Sequence, residues 1–158
     1  MKKIAAIFPA AGAGRRFGGS RNKIFESLKG QPIFLRTLER FFAREDINQL
    51  LLVVSREDSH ELRTRFAAQL EAMGVELVEG GRQRYDSVRN ALDKVSDDSE
   101  WVCVHDAVRP CVAPAWIDAV FAQARQCGAA TLAYPVHGTL KRVNKENYIE
   151  STSPRDGL

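Results

Sequence analysis

Short apolar runs alternate with longer amphipathic stretches along most of this chain. Each run lacks the polar alternation of a strand with one face in water, so each predicts a strand that is buried on both faces. The predicted strands are 4–8, 50–54, 75–78, 101–104 and 129–134. Between them, apolar residues at helical spacing predict helices over 32–44, 58–73, 83–95 and 114–126. This order predicts an α/β fold with a mostly parallel sheet and helices on both faces.

The last part of the chain has a different pattern. Two runs of residues that favour strands, 139–143 and 148–153, flank a polar segment over 144–147 that favours a turn. These runs carry few apolar residues, so we expect a projecting β-hairpin arm over 137–156. The length of 158 residues fits one domain. We therefore predict a single domain over 1–158, and a homodimer that forms through the arm.

Composition narrows the class of protein. The chain is 44% hydrophobic and 27% charged, which is typical of a globular protein. No apolar run approaches the ~20 residues of a membrane span, and the apolar run before Pro9 is too short for a signal peptide. We expect a cytoplasmic protein that does not bind membranes. The net charge of +3 comes with no nucleic-acid-binding motif, so we expect a small anionic ligand and no nucleic acid.

A glycine-rich, cationic segment follows the first predicted strand. Pro9 cannot donate to a sheet ladder, so strand pairing should stop there. The segment contains Gly12, Gly14, Gly18 and Gly19, and the cations Arg15, Arg16, Arg21 and Lys23. Its spacing does not fit the dinucleotide fingerprint G-x-G-x-x-G, and no glycine is followed by Lys-Ser or Lys-Thr as in a P-loop. Free backbone N–H groups beside arginine and lysine predict a polyphosphate site.

Three loops should lie at one edge of the sheet. The segments 9–23, 79–87 and 105–110 each follow a predicted strand, and the carboxyl ends of parallel strands meet at the same edge, where ligands bind. Taken alone, each loop has a plainer explanation. The segment 9–23 could be a glycine-rich turn with solvated charges. Gly80-Gly81 could form a tight turn, and Asp106 with Arg109 could form a structural ion pair. Together the three loops favour a binding site.

The motif Pro-Ala-Ala-Gly-x-Gly-x-Arg over 9–16, with Lys23 seven residues after the arginine, resembles the signature loop of nucleotidyltransferases that activate a phosphorylated sugar or polyol. The His-Asp-Ala-Val-Arg-Pro segment over 105–110 is a second match. The chain is similar over 4–158 to the 2-C-methyl-D-erythritol 4-phosphate cytidylyltransferase family of the non-mevalonate isoprenoid pathway. This resemblance implies a Rossmann-like fold, CTP and a polyol phosphate as substrates, and release of pyrophosphate.

The resemblance also implies roles for individual residues. The catalytic group comprises Arg16, Lys23 and Arg155. The nucleotide-binding group comprises Pro9, Ala10, Ala11, Gly12, Ala13, Gly14, Gly81, Arg82, Ser87 and Ala107. The acceptor-binding group comprises Asp106, Arg109, Thr139, Lys141 and Arg155. The implied cofactor is Mg²⁺, which the CTP phosphates carry close to Asp106. His105 is interpreted as a buried histidine whose hydrogen bonds are satisfied.

The chain departs from the family pattern at several positions. Arg82, Gly138 and Pro154 stand where the family often or usually has acidic residues, and Asn22-Lys23-Ile24 replaces the usual Pro-Lys-Gln. Family members continue past Leu158, so we expect the C-terminal portion of the family domain to be absent here. Two alternatives stay open. One is a ribitol 5-phosphate cytidylyltransferase, and the other is a non-catalytic nucleotide-binding or dimerisation module.

Overall fold

The structure is a computed structural model that describes residues 3–12 and 22–157. The chain divides into two compact units, Met1–Val112 and Ala113–Leu158.

The first unit contains a parallel sheet and the helices that cover it. Its strands are β1 (Ile4–Pro9), β2 (Ser27–Leu28), β3 (Gln31–Pro32), β4 (Ile47–Val54), β5 (Val75–Glu79) and β6 (Trp101–Val104). Its helices are α1 (Ile33–Phe42), α2 (Arg56–Arg65), α3 (Ala67–Ala72) and α4 (Arg84–Leu92), with a 3₁₀ turn at Lys23–Phe25. The sheet has the order β5-β4-β1-β6, and all of its neighbouring strands are parallel.

β1 lies inside this sheet and pairs with a parallel strand on each side. Phe8 stands opposite Leu52 of β4, and Ile7 stands opposite Val104 of β6. Residues 4–8 of β1 are all buried. The unbroken apolar run at the start of the sequence thus reflects a strand with no face in water, as predicted.

Helices cover both faces of the sheet. Successive side chains of a strand point to opposite faces. Phe8 meets Phe41 of α1 edge-on, with 5.1 Å between the ring centroids. Ile7, the preceding residue, packs in a buried cluster with Ala91 of α4. α1 and α4 therefore lie on opposite faces, and the predicted α/β architecture is confirmed.

The single helix predicted over 58–73 is wrong, because the structure has α2 and α3 with a break at Phe66. The backbone there has φ −126° and ψ 13°, outside the helical range. The break carries the Phe66 ring into a buried cluster, 6.2 Å from the Phe25 ring and 5.4 Å from the Phe34 ring, centroid to centroid. Packing of this ring outweighs the helical spacing of the surrounding residues.

A small hairpin lies between the 3₁₀ turn and α1. β2 and β3 are antiparallel and joined by Lys29 and Gly30, whose φ angles are 53° and 78°. Two positive φ angles in a two-residue loop are typical of the type I′ turn, which matches the twist of the strands it joins. The Lys-Gly pair was the available signal, and it was missed because the strands have only two residues each.

The second unit contains α5 (Pro114–Cys127), β7 (Lys141–Val143) and β8 (Ile149–Thr152). α5 ends at Cys127, and Gly128 caps it with a left-handed backbone at φ 87°. β7 and β8 pair in an antiparallel hairpin that is exposed along both strands, which confirms the predicted hairpin. The fifth strand predicted over 129–134 is wrong, since none of these residues is in a strand. An apolar run supplies only a tendency, and a strand also needs a partner with which to form a ladder.

Among the residues that the structure describes, no helix has both the length and the apolar character needed to cross a lipid bilayer.

Candidate active site

The candidate site lies at the carboxyl edge of the parallel sheet in the first unit. Loops leave this edge after β1, β5 and β6, at Pro9, Glu79 and Val104. Since these strands are parallel, the three loops start from the same side of the sheet. Direct contacts join the loops to one another.

The loop after β1 touches the loop after β5. A Cβ atom built on Gly80 would lie 2.3 Å from Cβ of Ala11, so only glycine fits against this side chain. The backbone N–H of Ala10 donates to the Val53 carbonyl at 2.7 Å, and that of Gly80 donates to the Val54 carbonyl at 2.8 Å. Both loops are thus fixed to consecutive carbonyl groups at the end of β4.

Ser87 organises the loop between β5 and α4. Its buried hydroxyl donates to the Gln83 carbonyl at 3.1 Å and accepts from the Gly81 N–H at 3.1 Å. α4 begins with a capping box between Gln83 and Asp86. The hydroxyl proton of Ser87 therefore serves the loop itself, and a direct contact between Ser87 and a nucleotide stays a prediction.

An ion-pair cluster joins the loop after β6 to α4. Asp106 Oδ1 accepts from Arg84 Nη2 at 3.0 Å, and Asp106 Oδ2 accepts from Arg109 Nε at 2.9 Å. Asp106 and Arg109 were predicted site residues, and the structure brings them together. Arg84 was missed. Its signal was an arginine in the first turn of a helix that starts at this edge of the sheet.

The electrostatics of this cluster favour an anionic ligand. Burial alone would raise the pKa of Asp106, but hydrogen bonds from Arg84 and Arg109 and their charges lower the pKa below its usual value. The carboxylate is therefore ionised at neutral pH, and the cluster keeps one excess positive charge. The side chains of Arg84 and Arg109 are 64% and 73% exposed. Each guanidinium has five N–H donors, so both groups have donors free for a phosphate.

His105 has a hydrogen-bond partner at one ring nitrogen, which supports in part the prediction of a histidine with satisfied hydrogen bonds. Its Nε2 lies 3.0 Å from the Arg109 carbonyl. Because a carbonyl only accepts, Nε2 carries the proton. The ring centroid lies 4.9 Å from that of Phe41. The histidine is half-buried rather than fully buried, and it supports the loop that carries Asp106 and the buried Ala107.

Lys23 begins the 3₁₀ turn and is half-buried. The preceding residue, Asn22, donates from Nδ2 to the Ala10 carbonyl at 3.0 Å and to Asp58 Oδ2 at 2.8 Å. Lys23 therefore follows a residue that is bonded to the end of β1. Asn22 and Asp58 were not predicted to take part in the site, because nothing in their spacing shows that they meet.

Several predicted site residues have other placements. Ala13, Gly14 and Arg16 lie outside the described residues. Pro9 ends β1, Gly12 is exposed, and the exposed side chain of Arg82 forms no ion pair within the described part of the chain. The remaining predicted residues, which lie in the second unit, are Thr139, Lys141 and Arg155.

The second unit holds two of these side chains within its own fold. Lys141 Nζ lies 2.6 Å from Thr152 Oγ1 across the hairpin, and the Arg155 guanidinium donates to the His137 carbonyl. Thr139 is exposed. The acceptor-binding roles of these residues stay predictions.

No group of three or more metal-ligating side chains forms within residues 3–12 and 22–157. Both carboxylate oxygens of Asp106 already accept from arginine, which leaves one lone-pair direction on each. This donor set fits a Mg²⁺ ion held mainly by the phosphates of a ligand, with one carboxylate nearby. It does not fit an ion held by protein groups alone.

The model of the 2-C-methyl-D-erythritol 4-phosphate cytidylyltransferase family matches residues 4–158. A curated relative with that name from Rhodopirellula baltica is 41% identical over 150 residues, which cover 88% of this chain and 62% of the relative. Another relative with that name, from Dechloromonas aromatica, is 39% identical. The match covers 100% of this chain and 71% of the relative. The chain thus spans from under two thirds to about seven tenths of these relatives.

Solved structures agree with the sequence relatives. The crystal structure of a 4-diphosphocytidyl-2C-methyl-D-erythritol synthase has a TM-score of 0.76 and 28% identity, and the match covers 100% of this chain and 71% of that chain. The 2-C-methyl-D-erythritol 4-phosphate cytidylyltransferase of Thermus thermophilus has a TM-score of 0.73 and 27% identity, and the match covers 99% of this chain and 66% of that chain.

The contact between Gly80 and Ala11 is testable by adding one methyl group. Gly80→Ala should lower the free energy of unfolding by about 1–3 kcal/mol, because the new methyl group would overlap Cβ of Ala11. Urea denaturation measures this change. The matched control is Gly138→Ala, whose Cβ would meet nothing within 4 Å. Equal effects of the two substitutions would contradict the proposed close contact.

Proposed function

The chain belongs to the 2-C-methyl-D-erythritol 4-phosphate cytidylyltransferase family, and we propose that it joins CTP to 2-C-methyl-D-erythritol 4-phosphate. The products would be 4-diphosphocytidyl-2-C-methyl-D-erythritol and pyrophosphate. The observation that carries this proposal is the junction of the three loops, with Gly80 against Ala11 and Asp106 paired with Arg84. These contacts bring the two long sequence motifs to one edge of the sheet.

The reaction is an in-line attack by a phosphate oxygen of the acceptor on the α-phosphorus of CTP. The bond from the α-phosphorus to the bridging oxygen breaks, and pyrophosphate leaves. Both reactants are anions, so cations must offset their repulsion and stabilise the charge that grows on the α-phosphoryl oxygens. We assign this task to Lys23 and Arg16. The chemistry requires no nucleophilic side chain.

The loops divide the binding of the two substrates. Backbone N–H groups of the segment 9–14 would bind the phosphates of CTP. The loop that contains Gly81, Arg82 and Ser87 would bind the nucleobase, and Ala107 would lie beside the nucleotide. The acceptor would bind to Asp106 and Arg109. We also propose acceptor-binding roles for Thr139, Lys141 and Arg155.

Asp106 suits contact with acceptor hydroxyl groups because it stays ionised between two arginines. A hydroxyl group can donate to the lone pairs that the guanidinium groups leave unused. Arg109 can then bond the acceptor through its remaining N–H groups. In this arrangement the carboxylate orients the polyol, while the excess positive charge of the cluster attracts its phosphate.

Mg²⁺ is the proposed cofactor. When bound to the triphosphate, it would neutralise part of the charge on the phosphates. Asp106 is the carboxylate that we place near it, since the described residues offer no larger set of ligands. The chain's own part is to bind and orient the phosphates that hold the ion.

We further propose that the protein is a homodimer that forms through the arm over 137–156. The hairpin presents apolar side chains to solvent, with Val143, Tyr148 and Ile149 exposed at 49%, 72% and 65%. Burying these side chains against a second copy would remove apolar area from water. Multi-angle light scattering should give twice the monomer mass, and a monomer at micromolar concentration would contradict the proposal.

We place the protein in the cytoplasm, where CTP is available, and cell fractionation tests this location.

Pyrophosphate release tests the proposed reaction. The assay contains Mg²⁺ and compares CTP with UTP, ATP and GTP, each with methylerythritol phosphate or ribitol phosphate as acceptor. We expect release only with CTP and methylerythritol phosphate. Release with ribitol phosphate alone would support the ribitol 5-phosphate cytidylyltransferase. Binding of CTP without release under any condition would support the non-catalytic module.

Lys23→Ala tests the cation that we assign to the reacting phosphates. Loss of one such group typically lowers the rate by roughly 10²–10³, and we expect this drop in kcat because the lost charge acts mainly in the transition state. Lys94→Ala is the matched control, because it removes an exposed lysine that lies after α4 and belongs to none of the three loops. A similar small loss in both variants would rule out the assigned role of Lys23.

A further inference from the structure

We propose that Asn22 is a positioning residue, which holds the turn that carries Lys23 against the end of β1 and the start of α2. The inference concerns how Lys23 is held, and its functional consequence rests on the proposed role of Lys23 at the reacting phosphates.

The side-chain amide of Asn22 makes three hydrogen bonds. Nδ2 donates to the Ala10 carbonyl at 3.0 Å and to Asp58 Oδ2 at 2.8 Å, and Oδ1 accepts from the Ile24 N–H at 3.3 Å. The orientation of the amide follows from its partners, because a carbonyl and a carboxylate only accept. Asn22 is only 8% exposed, so water does not readily replace these partners.

Asp58 is itself held in place. Its Oδ2 accepts from the Ser55 hydroxyl at 2.7 Å, and its backbone N–H donates to Ser55 Oγ at 3.0 Å. Ser55 follows β4 directly and caps α2. Through Asp58, the Asn22 amide is therefore tied to the junction of β4 and α2, and through Ala10 it is tied to the end of β1.

Lys23 lies within the turn that these bonds hold. The Phe25 N–H donates to the Asn22 carbonyl at 3.1 Å, and the Glu26 N–H donates to the Lys23 carbonyl at 3.2 Å. These bonds make the backbone around Lys23 one tight 3₁₀ turn. Without the amide, the turn would keep its backbone bonds but lose the side-chain bonds to Ile24, Ala10 and Asp58. A misplacement of about 1 Å can cost a rate ~10²-fold when a group must meet a reacting phosphate.

The backbone of Asn22 provides a discriminating substitution. Its φ is −62° and its ψ is 130°. A proline ring fixes φ at this value. Among the described residues, no acceptor takes the Asn22 backbone N–H. In Asn22→Pro, the proline ring therefore keeps φ at its present value, while the side-chain hydrogen bonds are lost.

The experiment compares Asn22→Ala, Asn22→Pro and the control Asn48→Ala, which removes an exposed asparagine bonded to Ser99. One readout is hydrogen exchange of the Phe25 and Glu26 amides, measured by NMR relative to amides of β4. The other is kcat and KM for CTP in the pyrophosphate assay. Urea unfolding of each variant reports stability separately.

We expect Asn22→Ala to speed exchange of both amides at least tenfold and to lower kcat about ten- to a hundredfold, with KM changed less than threefold. Asn22→Pro should speed exchange and lower kcat as the alanine variant does, because its ring fixes φ but makes no bond to Ala10 or Asp58. Asn48→Ala should leave all of these quantities unchanged.

Unchanged exchange in Asn22→Ala would overturn the inference. Parent-like exchange and kcat in Asn22→Pro would overturn it too, because the backbone angle would then be enough to hold the turn. The exchange measurement needs no substrate. If the parent chain releases no pyrophosphate, the proposed function fails, while exchange still decides whether Asn22 holds the turn.

Discussion

The structure of the site depends on β1 being buried on both faces between two parallel strands. Its side chains are buried on both faces of the sheet. Its backbone groups form hydrogen bonds to β4 on one side and to β6 on the other. The strand therefore has one fixed register, and the chain leaves it at a fixed point. Ala10 is still bonded to Val53 of β4 when the glycine-rich segment begins. The position of every loop at this edge follows from that register.

Two kinds of contact then bring the loops together, and each solves a different physical problem. The contact of Gly80 with Ala11 is steric, since the backbone of one loop can approach the other only without a side chain. The contact of Asp106 with Arg84 and Arg109 is electrostatic. Two guanidinium groups placed side by side would repel each other, and the carboxylate between them makes this density of positive charge stable enough to exist before any anion binds.

Most strands and helices of the first unit could be predicted from the sequence, because a strand that is buried on both faces is an unbroken apolar run. The strand predicted over 129–134 was wrong because an apolar run shows only that residues are apolar. It does not show whether a partner strand is present. Arg84 and Asn22 could not be found in this way. Arg84 meets Asp106 across 22 residues, and Asn22 meets Asp58 across 36. Contacts between residues so far apart in sequence depend on how the loops pack, and no local sequence pattern predicts them. Asp106 and Arg109 were predicted because they are close in sequence and fall within a motif.

The two edges of the sheet differ in how they meet other molecules. β5 carries exposed glutamates at 76 and 79, and charge on an edge strand discourages pairing with another chain. β6 reads Trp-Val-Cys-Val, has no charged residue, and pairs only with β1 within the described residues. Its valines at 102 and 104 are 41% and 42% exposed. Only one edge of the sheet therefore favours the addition of a further strand. A further strand that joins it through backbone hydrogen bonds is favoured beside β6 and opposed beside β5.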